Sequence, residues 1–165
     1  METKNWYAVY TKSRNEKKVN ELMTRNGYTV YLPLIKTLRQ WSDRKKMVEL
    51  PLIPSYVFVH VSEREYYRIL ETPGAIGYVT FEGKAAPIPE KQIEALKLAL
   101  DKNVDIEISA DTIEPGVLVK IISGPMKGAE GEMIRAIHKK NFLIRISHIG
   151  FSLKLEIDAK DVMKL

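Results

Sequence analysis

The sequence predicts an α/β domain, a sheet with helices packed on it, followed by a small all-β barrel. Three observations predict it. Strand and helix signals alternate as far as about residue 103, as a layer of helices on a sheet requires. Residues 104–114 (VDIEISADTIE) hold four acids, no base and no apolar stripe, which reads as a linker. Beyond Pro115, apolar runs recur at strand-like spacing between turn residues, with no strong helix signal. The expected boundaries are therefore 1–103, 104–114 and 115–165.

Trp6 to Thr11 alternates aromatic with small or aliphatic residues and reads as a strand. Ser13-x-x-Glu16 has the pattern of a capping box. Val19, Leu22 and Met23 then give one apolar helical face, and Gly27 a stop. Tyr28 to Leu32 is a second strand. Leu34 to Lys46 is polar and basic without a useful period, a loop or hairpin tip. Ile53-Pro54-Ser55 breaks the chain before a strong strand, Tyr56 to Val61. Ser62-x-x-Glu65 opens a short helix that ends at Pro73-Gly74, and Ile76 to Phe81 follows as a strand. Pro89 starts a third helix with Ile93, Leu96 and Leu100 on one face. In the last third, strands are expected at 117–122, 131–138, 142–147 and 152–157.

Composition narrows the function. With no cysteine among 165 residues, neither a disulfide framework nor a cysteine zinc site is available. The three histidines are scattered without ligand spacing, so no metal or cofactor is expected. No segment approaches a membrane span, and the cytoplasm is the expected location. The net charge of +5 is unevenly spread. Residues 1–48 carry 11 Lys/Arg against 4 Asp/Glu, whereas residues 49–103 carry 6 against 8. A basic first third suits an anionic partner, nucleic acid above all, or serves only solubility. No nucleophile-base pair or phosphate loop stands out, and no enzyme is expected.

Pro115 to Gly131 (PGVLVKIISGPMKGAEG) reads as strand, glycine turn, strand, and resembles the KOW motif. Trp6-Tyr7-Ala8-Val9-Tyr10 resembles the opening strand of the NusG family of transcription factors. Leu52-Ile53-Pro54-Ser55-Tyr56-Val57-Phe58-Val59 resembles that family's internal motif, and Pro87-Ile88-Pro89 also fits. The order matches along the whole chain. The resemblance implies a NusG-type N-terminal domain, a linker and a C-terminal KOW barrel. Lys36 to Lys46 and Phe81-Glu82-Gly83-Lys84 look like the RfaH-like and UpxY-like paralogues that antiterminate long polysaccharide operons. General members usually carry Gly after the Pro of the internal motif, where this chain has Ser55.

What the resemblance implies is binding without chemistry. Such factors bind the clamp helices of the largest subunit of bacterial RNA polymerase, hold the clamp closed, and suppress pausing and termination. Tyr10, Ile53, Phe58 and Tyr78 match positions of an apolar polymerase-facing patch; Phe58, in mid-strand, reads also as ordinary core. Lys12, Asn15 and Lys18 match positions where relatives read the non-template DNA strand. Helical geometry puts Arg14, Lys18 and Arg25 on one side of the first helix, away from Val19, Leu22 and Met23. Arg39, Arg44, Lys45 and Lys46 surround Trp41, which either stacks on an unpaired base or folds back onto the sheet. Met126 and Ile149 fall on turns where relatives touch a small-subunit ribosomal protein or the termination factor Rho. The competing reading is an RNA-binding or ribosome-associated KOW protein.

Overall fold

The computed structural model describes residues 1–109, 116–135, 140–145 and 152–165. The chain divides into two compact units, Met1–Ala85 and Ala86–Leu165.

In the first unit, β1 (Asn5–Thr11), β2 (Thr29–Tyr31), β5 (Tyr56–Val61) and β6 (Ala75–Tyr78) form a four-stranded sheet in the order β2-β5-β1-β6. All three pairings are antiparallel. The long β1–β5 ladder sets Ala8 opposite Phe58 and Tyr10 opposite Tyr56. Strand residues alternate faces, so Val9, Val57, Val59 and Val61 point together toward α1 (Glu16–Arg25). There Val19 and Met23, one turn apart, complete a core with Ile69 and Tyr78. α2 (Glu63–Arg68) runs into a 3-10 turn, Ile69–Glu71, which supplies Ile69 to that core. Gly74 follows with φ +94, and a Cβ there would lie 2.8 Å from Val19 Cγ2. Both facts demand glycine at that turn.

The second capping box forms: the Ser62 N–H donates to Glu65 Oε2 at 2.9 Å. The first does not. Asn15 is the N-cap of α1, but its side chain accepts no cap hydrogen bond; its Nδ2 donates to the Ser13 carbonyl at 3.0 Å. Glu16 instead turns inward, 6% exposed, and its Oε1 accepts the Ser55 N–H at 2.8 Å. Ser55 has φ +66, a left-handed conformation that costs an L side chain about 1–2 kcal/mol. Glycine reaches that conformation without this cost.

Leu34 to Lys46, expected as a loop or hairpin tip, belongs to a regular β-hairpin. β3 (Leu34–Gln40) and β4 (Lys45–Pro51) pair over seven residues as their own two-stranded sheet. β7 (Thr80–Phe81) and β8 (Lys84–Ala85) form a second, much shorter hairpin.

The second unit holds α3 (Glu90–Asp101) and six antiparallel strands: β9 (Glu107–Ser109), β10 (Val117–Ile121), β11 (Glu130–Arg135), β12 (Lys140–Arg145), β13 (Ser152–Glu156) and β14 (Val162–Lys164). Their order is β14-β10-β11-β12-β13-β9. Among the described residues β14 and β9 are the two ends, and no ladder closes them into the expected barrel. Two placements differ from the sequence reading. α3, expected in the first domain, packs on β11 and β12. The segment read as linker contributes β9, whose Ile108 pairs with Leu153. The linker expectation rested on charge, and Glu107 on an edge strand satisfies that charge in solvent while its backbone completes a ladder. Phe142, Leu143, Ile144, Leu153 and Leu155 are all buried.

The Glu16–Ser55 hydrogen bond is the first-unit feature most open to test. Glu16→Ala leaves a partly buried N–H unsatisfied and should destabilise the first unit by about 1–3 kcal/mol. Glu16→Gln keeps an acceptor oxygen and should cost less. Urea denaturation of both variants checks the order.

Candidate interaction surface

The four residues expected to face a polymerase do not share a surface. Tyr10 is 38% exposed, whereas Ile53 and Phe58 are fully buried and Tyr78 nearly so. The correction has one physical cause. An apolar side chain worth about 1.5–3 kcal/mol on burial leaves water in the chain itself wherever a neighbour offers it cover. Phe58 lies on the central strand, opposite Ala8 and 6.5 Å from the Tyr31 ring. Ile53 is buried beside Leu52, whose N–H donates to the Pro33 carbonyl. Tyr78 belongs to the helix-side core: its hydroxyl donates to the Tyr66 carbonyl at 2.5 Å, and its ring stacks on Tyr66 at 4.2 Å.

What remains at the surface is a pair the sequence did not single out. Tyr10 meets the half-buried Tyr56 across the β1–β5 ladder, ring centroids 4.9 Å apart. Burial pushes the Tyr56 hydroxyl up to about 12, and its hydrogen bond with Tyr10 adds to that. The available signal was the alternation of each strand, with Tyr56 directly after the Pro54-Ser55 break. The pair stands at the end of β1, just before the turn Lys12–Asn15. That turn is held by the Lys12 N–H on the Gly74 carbonyl and the Asn15 N–H on the Lys12 carbonyl. Arg14 adopts φ +63 there. Lys12, Arg14 and Lys18 are exposed and Asn15 half-buried, so the turn that follows Tyr10 in the chain opens into a basic start of α1. Arg25, farther along α1, pairs with Glu21 at 2.6 Å.

The hairpin brings Arg39, Trp41, Arg44, Lys45 and Lys46 to one tip. The Trp41 N–H donates to the Arg44 carbonyl across the turn, and the Arg44 guanidinium lies 5.7 Å over the Trp41 ring. Trp41 is 43% exposed and does not fold back onto the main sheet. The hairpin also exposes aliphatic side chains that the sequence reading passed over. Leu38 and Met47 face each other in the ladder and are both more than half exposed.

In the second unit Met126 is buried rather than presented to a partner. The turn from Ile121 to Ala129 folds it inward, with Gly128 N–H on the Ile121 carbonyl and Ala129 N–H on the Met126 carbonyl. It lines a cleft of about 650 Å³ with Ser123, Pro125, Glu156, Asp158 and Asp161. Ile149 lies outside the described residues. Among the described residues no group of three or more His, Asp and Glu side chains is arranged to hold a metal. No helix among them is long and apolar enough to cross a membrane.

Tyr56, Tyr66 and Tyr78 have raised pKa values, each chiefly through burial. A folded pKa above the unfolded value near 10 means that the folded state holds its proton longer. This contribution to stability is whole below pH 10 and is lost as pH rises toward 12. Ultraviolet titration should therefore show a late-ionising class of tyrosines coincident with alkaline unfolding. Tyr78→Phe should reduce the amplitude of that class by one residue.

The family model described as "Transcription termination factor nusG" matches residues 4–97. The NusG termination/antitermination protein of Streptococcus pyogenes serotype M3 is 25% identical, over 98% of this chain and 97% of its own length. That of Halalkalibacterium halodurans is 24% identical, over 98% and 99%. A solved structure of Thermotoga maritima NusG aligns over 99% of this chain and 98% of its own, with 23% identity and a TM-score of 0.45. A match spanning more than half the chain settles the family: this chain belongs to the NusG family of transcription termination/antitermination factors.

Proposed function

We propose that this chain is an elongation and antitermination factor that binds bacterial RNA polymerase at the clamp helices of its largest subunit. One observation carries the reading: in a chain of this family, an aromatic pair, half-buried Tyr56 and exposed Tyr10, stands at the end of the β1–β5 ladder, from which the chain turns into the basic start of α1. Aromatics at a desolvated centre beside cations on a rim make a good protein interface next to nucleic acid. Tyr10 and Tyr56 take the clamp. Lys12, Arg14 and Lys18 meet phosphates of the displaced non-template strand, and Asn15 contributes to sequence choice. The hairpin tip extends the same anion-facing surface.

The effect on polymerase is a population shift. A ligand with higher affinity for the closed clamp than for the open one biases the enzyme toward elongation, and only that difference does so. Ser55 in a backbone conformation suited to glycine, and the basic hairpin, support an operon-specific paralogue. The second unit is read as a KOW barrel. Its acidic cleft beside Met126 is the surface proposed to meet a small-subunit ribosomal protein or Rho.

Recruitment to stalled elongation complexes tests the assignment. Tyr10→Ala with Tyr56→Ala should abolish recruitment and pause suppression while circular dichroism shows a folded chain. Undiminished recruitment would reject the tyrosine surface. Lys12→Ala with Lys18→Ala should weaken recruitment and flatten its log–log salt dependence by about 1.4, at about 0.7 per single-strand phosphate contact. Equal recruitment on scaffolds with and without the non-template strand would remove DNA from the mechanism.

A further inference from the structure

Away from the surface already described, the first unit carries a cleft of about 510 Å³ whose walls are largely tyrosine. That size suits a small molecule, since ligand clefts run from about 300 to 1,000 Å³. β1 and β5 supply the floor: Asn5 faces Val61 across the ladder, and Tyr7 follows on the same face of the sheet. α2 supplies Tyr66 and Tyr67, and β8 supplies Lys84. Glu63, at the start of α2, completes the rim.

The rings decide what fits. Tyr66 meets Tyr7 at 80° and Tyr67 at 83°, with centroids 5.7 and 5.0 Å apart. Tyr78, which does not line the cleft, stacks on Tyr66 and covers one of its faces. Ring surface therefore bounds the cleft in directions at right angles. A flat base is held best between parallel faces, and a corner of perpendicular rings offers it only one. A compact cation touches more than one such face at once, and aromatic cages hold quaternary ammonium groups in this way. A quaternary ammonium also has no N–H that must find an acceptor there.

The charges agree. Lys4 pairs with Glu65 and Arg64 with Glu2. Glu63 and Lys84 are the charged residues that line the cleft, and both are exposed. A site with one carboxylate and one ammonium of its own matches a ligand that carries both signs.

We propose that this cleft binds a small betaine-type zwitterion, with its quaternary ammonium in the corner of Tyr7, Tyr66 and Tyr67 beside Glu63 and its carboxylate on Lys84. The site goes beyond the proposed function and does not rest on it.

Equilibrium dialysis of the full chain against radiolabelled glycine betaine tests the site, at concentrations below those at which such solutes stabilise proteins by exclusion from their surface. Binding should be saturable, with one molecule per chain. Tyr67 is 76% exposed, so its replacement does not open the core. Tyr67→Ala should weaken binding about tenfold, the loss of one cation–π contact, and Tyr67→Phe less than about threefold. Lys84→Ala should weaken binding of glycine betaine but not that of choline, which has no carboxylate. tert-Butylacetate has the same shape and carboxylate without the positive charge, and should not compete. Absence of saturable binding, equal competition by tert-butylacetate, or undiminished affinity of Tyr67→Ala overturns the proposal. So does undiminished affinity of Lys84→Ala for glycine betaine. Displacement by adenosine monophosphate at equal concentration would assign the cleft to a stacked base and overturn it as well.

Discussion

Ser55 lies outside any ladder, in a left-handed turn between β4 and β5, and its two backbone groups organise the first unit. Its N–H goes to Glu16 at the first turn of α1, and its carbonyl accepts the Thr11 N–H at the end of β1. Three elements are thereby tied at one residue. The tie fixes where β1 stops, where α1 begins, and how Tyr56 enters β5 opposite Tyr10. A partly buried amide with no partner costs about 1–3 kcal/mol, comparable to the left-handed conformation itself. Glu16 removes the first cost, which lets a serine occupy a position whose φ suits glycine.

The aromatic residues divide according to the sheet's two faces. Tyr7, Tyr66 and Tyr78 contact one another on the helix side, edge to face for Tyr7 and stacked for the other two. Tyr10 and Tyr56 lie on the other face at the end of the ladder. The period of two that puts Val9 in the core with Val57 and Val59 must put Tyr10 outside it. One strand therefore builds the core and presents an exposed tyrosine.

Much of the first unit was legible in the sequence because its signals are local. The alternation in β1 and β5, the apolar stripe of α1 and the capping box of α2 each follow from a few adjacent residues. What escaped depends on distant partners. Ser13-x-x-Glu16 has the spacing of a capping box, but a longer-range acceptor role on Ser55 claimed the same carboxyl group. Ile53, Phe58, Tyr78 and Met126 are apolar residues in recognisable motifs, and a motif does not say whether apolarity serves a partner or the chain's own interior. The hairpin escaped because neither of its faces is uniformly apolar, so no period marks it; Ser42-Asp43 between two seven-residue runs was the one turn signal. The 104–114 segment misled through charge, since an acidic edge strand and an acidic linker look alike.

The hairpin's separateness has an energetic consequence. Its ladder is not continued by the four-stranded sheet, and Leu38, Trp41 and Met47 are exposed rather than held in the core. A two-stranded hairpin is only marginally stable by itself, and what holds this one to the unit is Leu34, at its base, packed against the core. The Glu16–Ser55 tie does the same for the end of β1: it is made in the free chain, so the tyrosine pair and the start of α1 are preorganised. The first unit thus combines a fixed surface at the end of β1 with a ribbon anchored to the core at its base and exposed toward its tip.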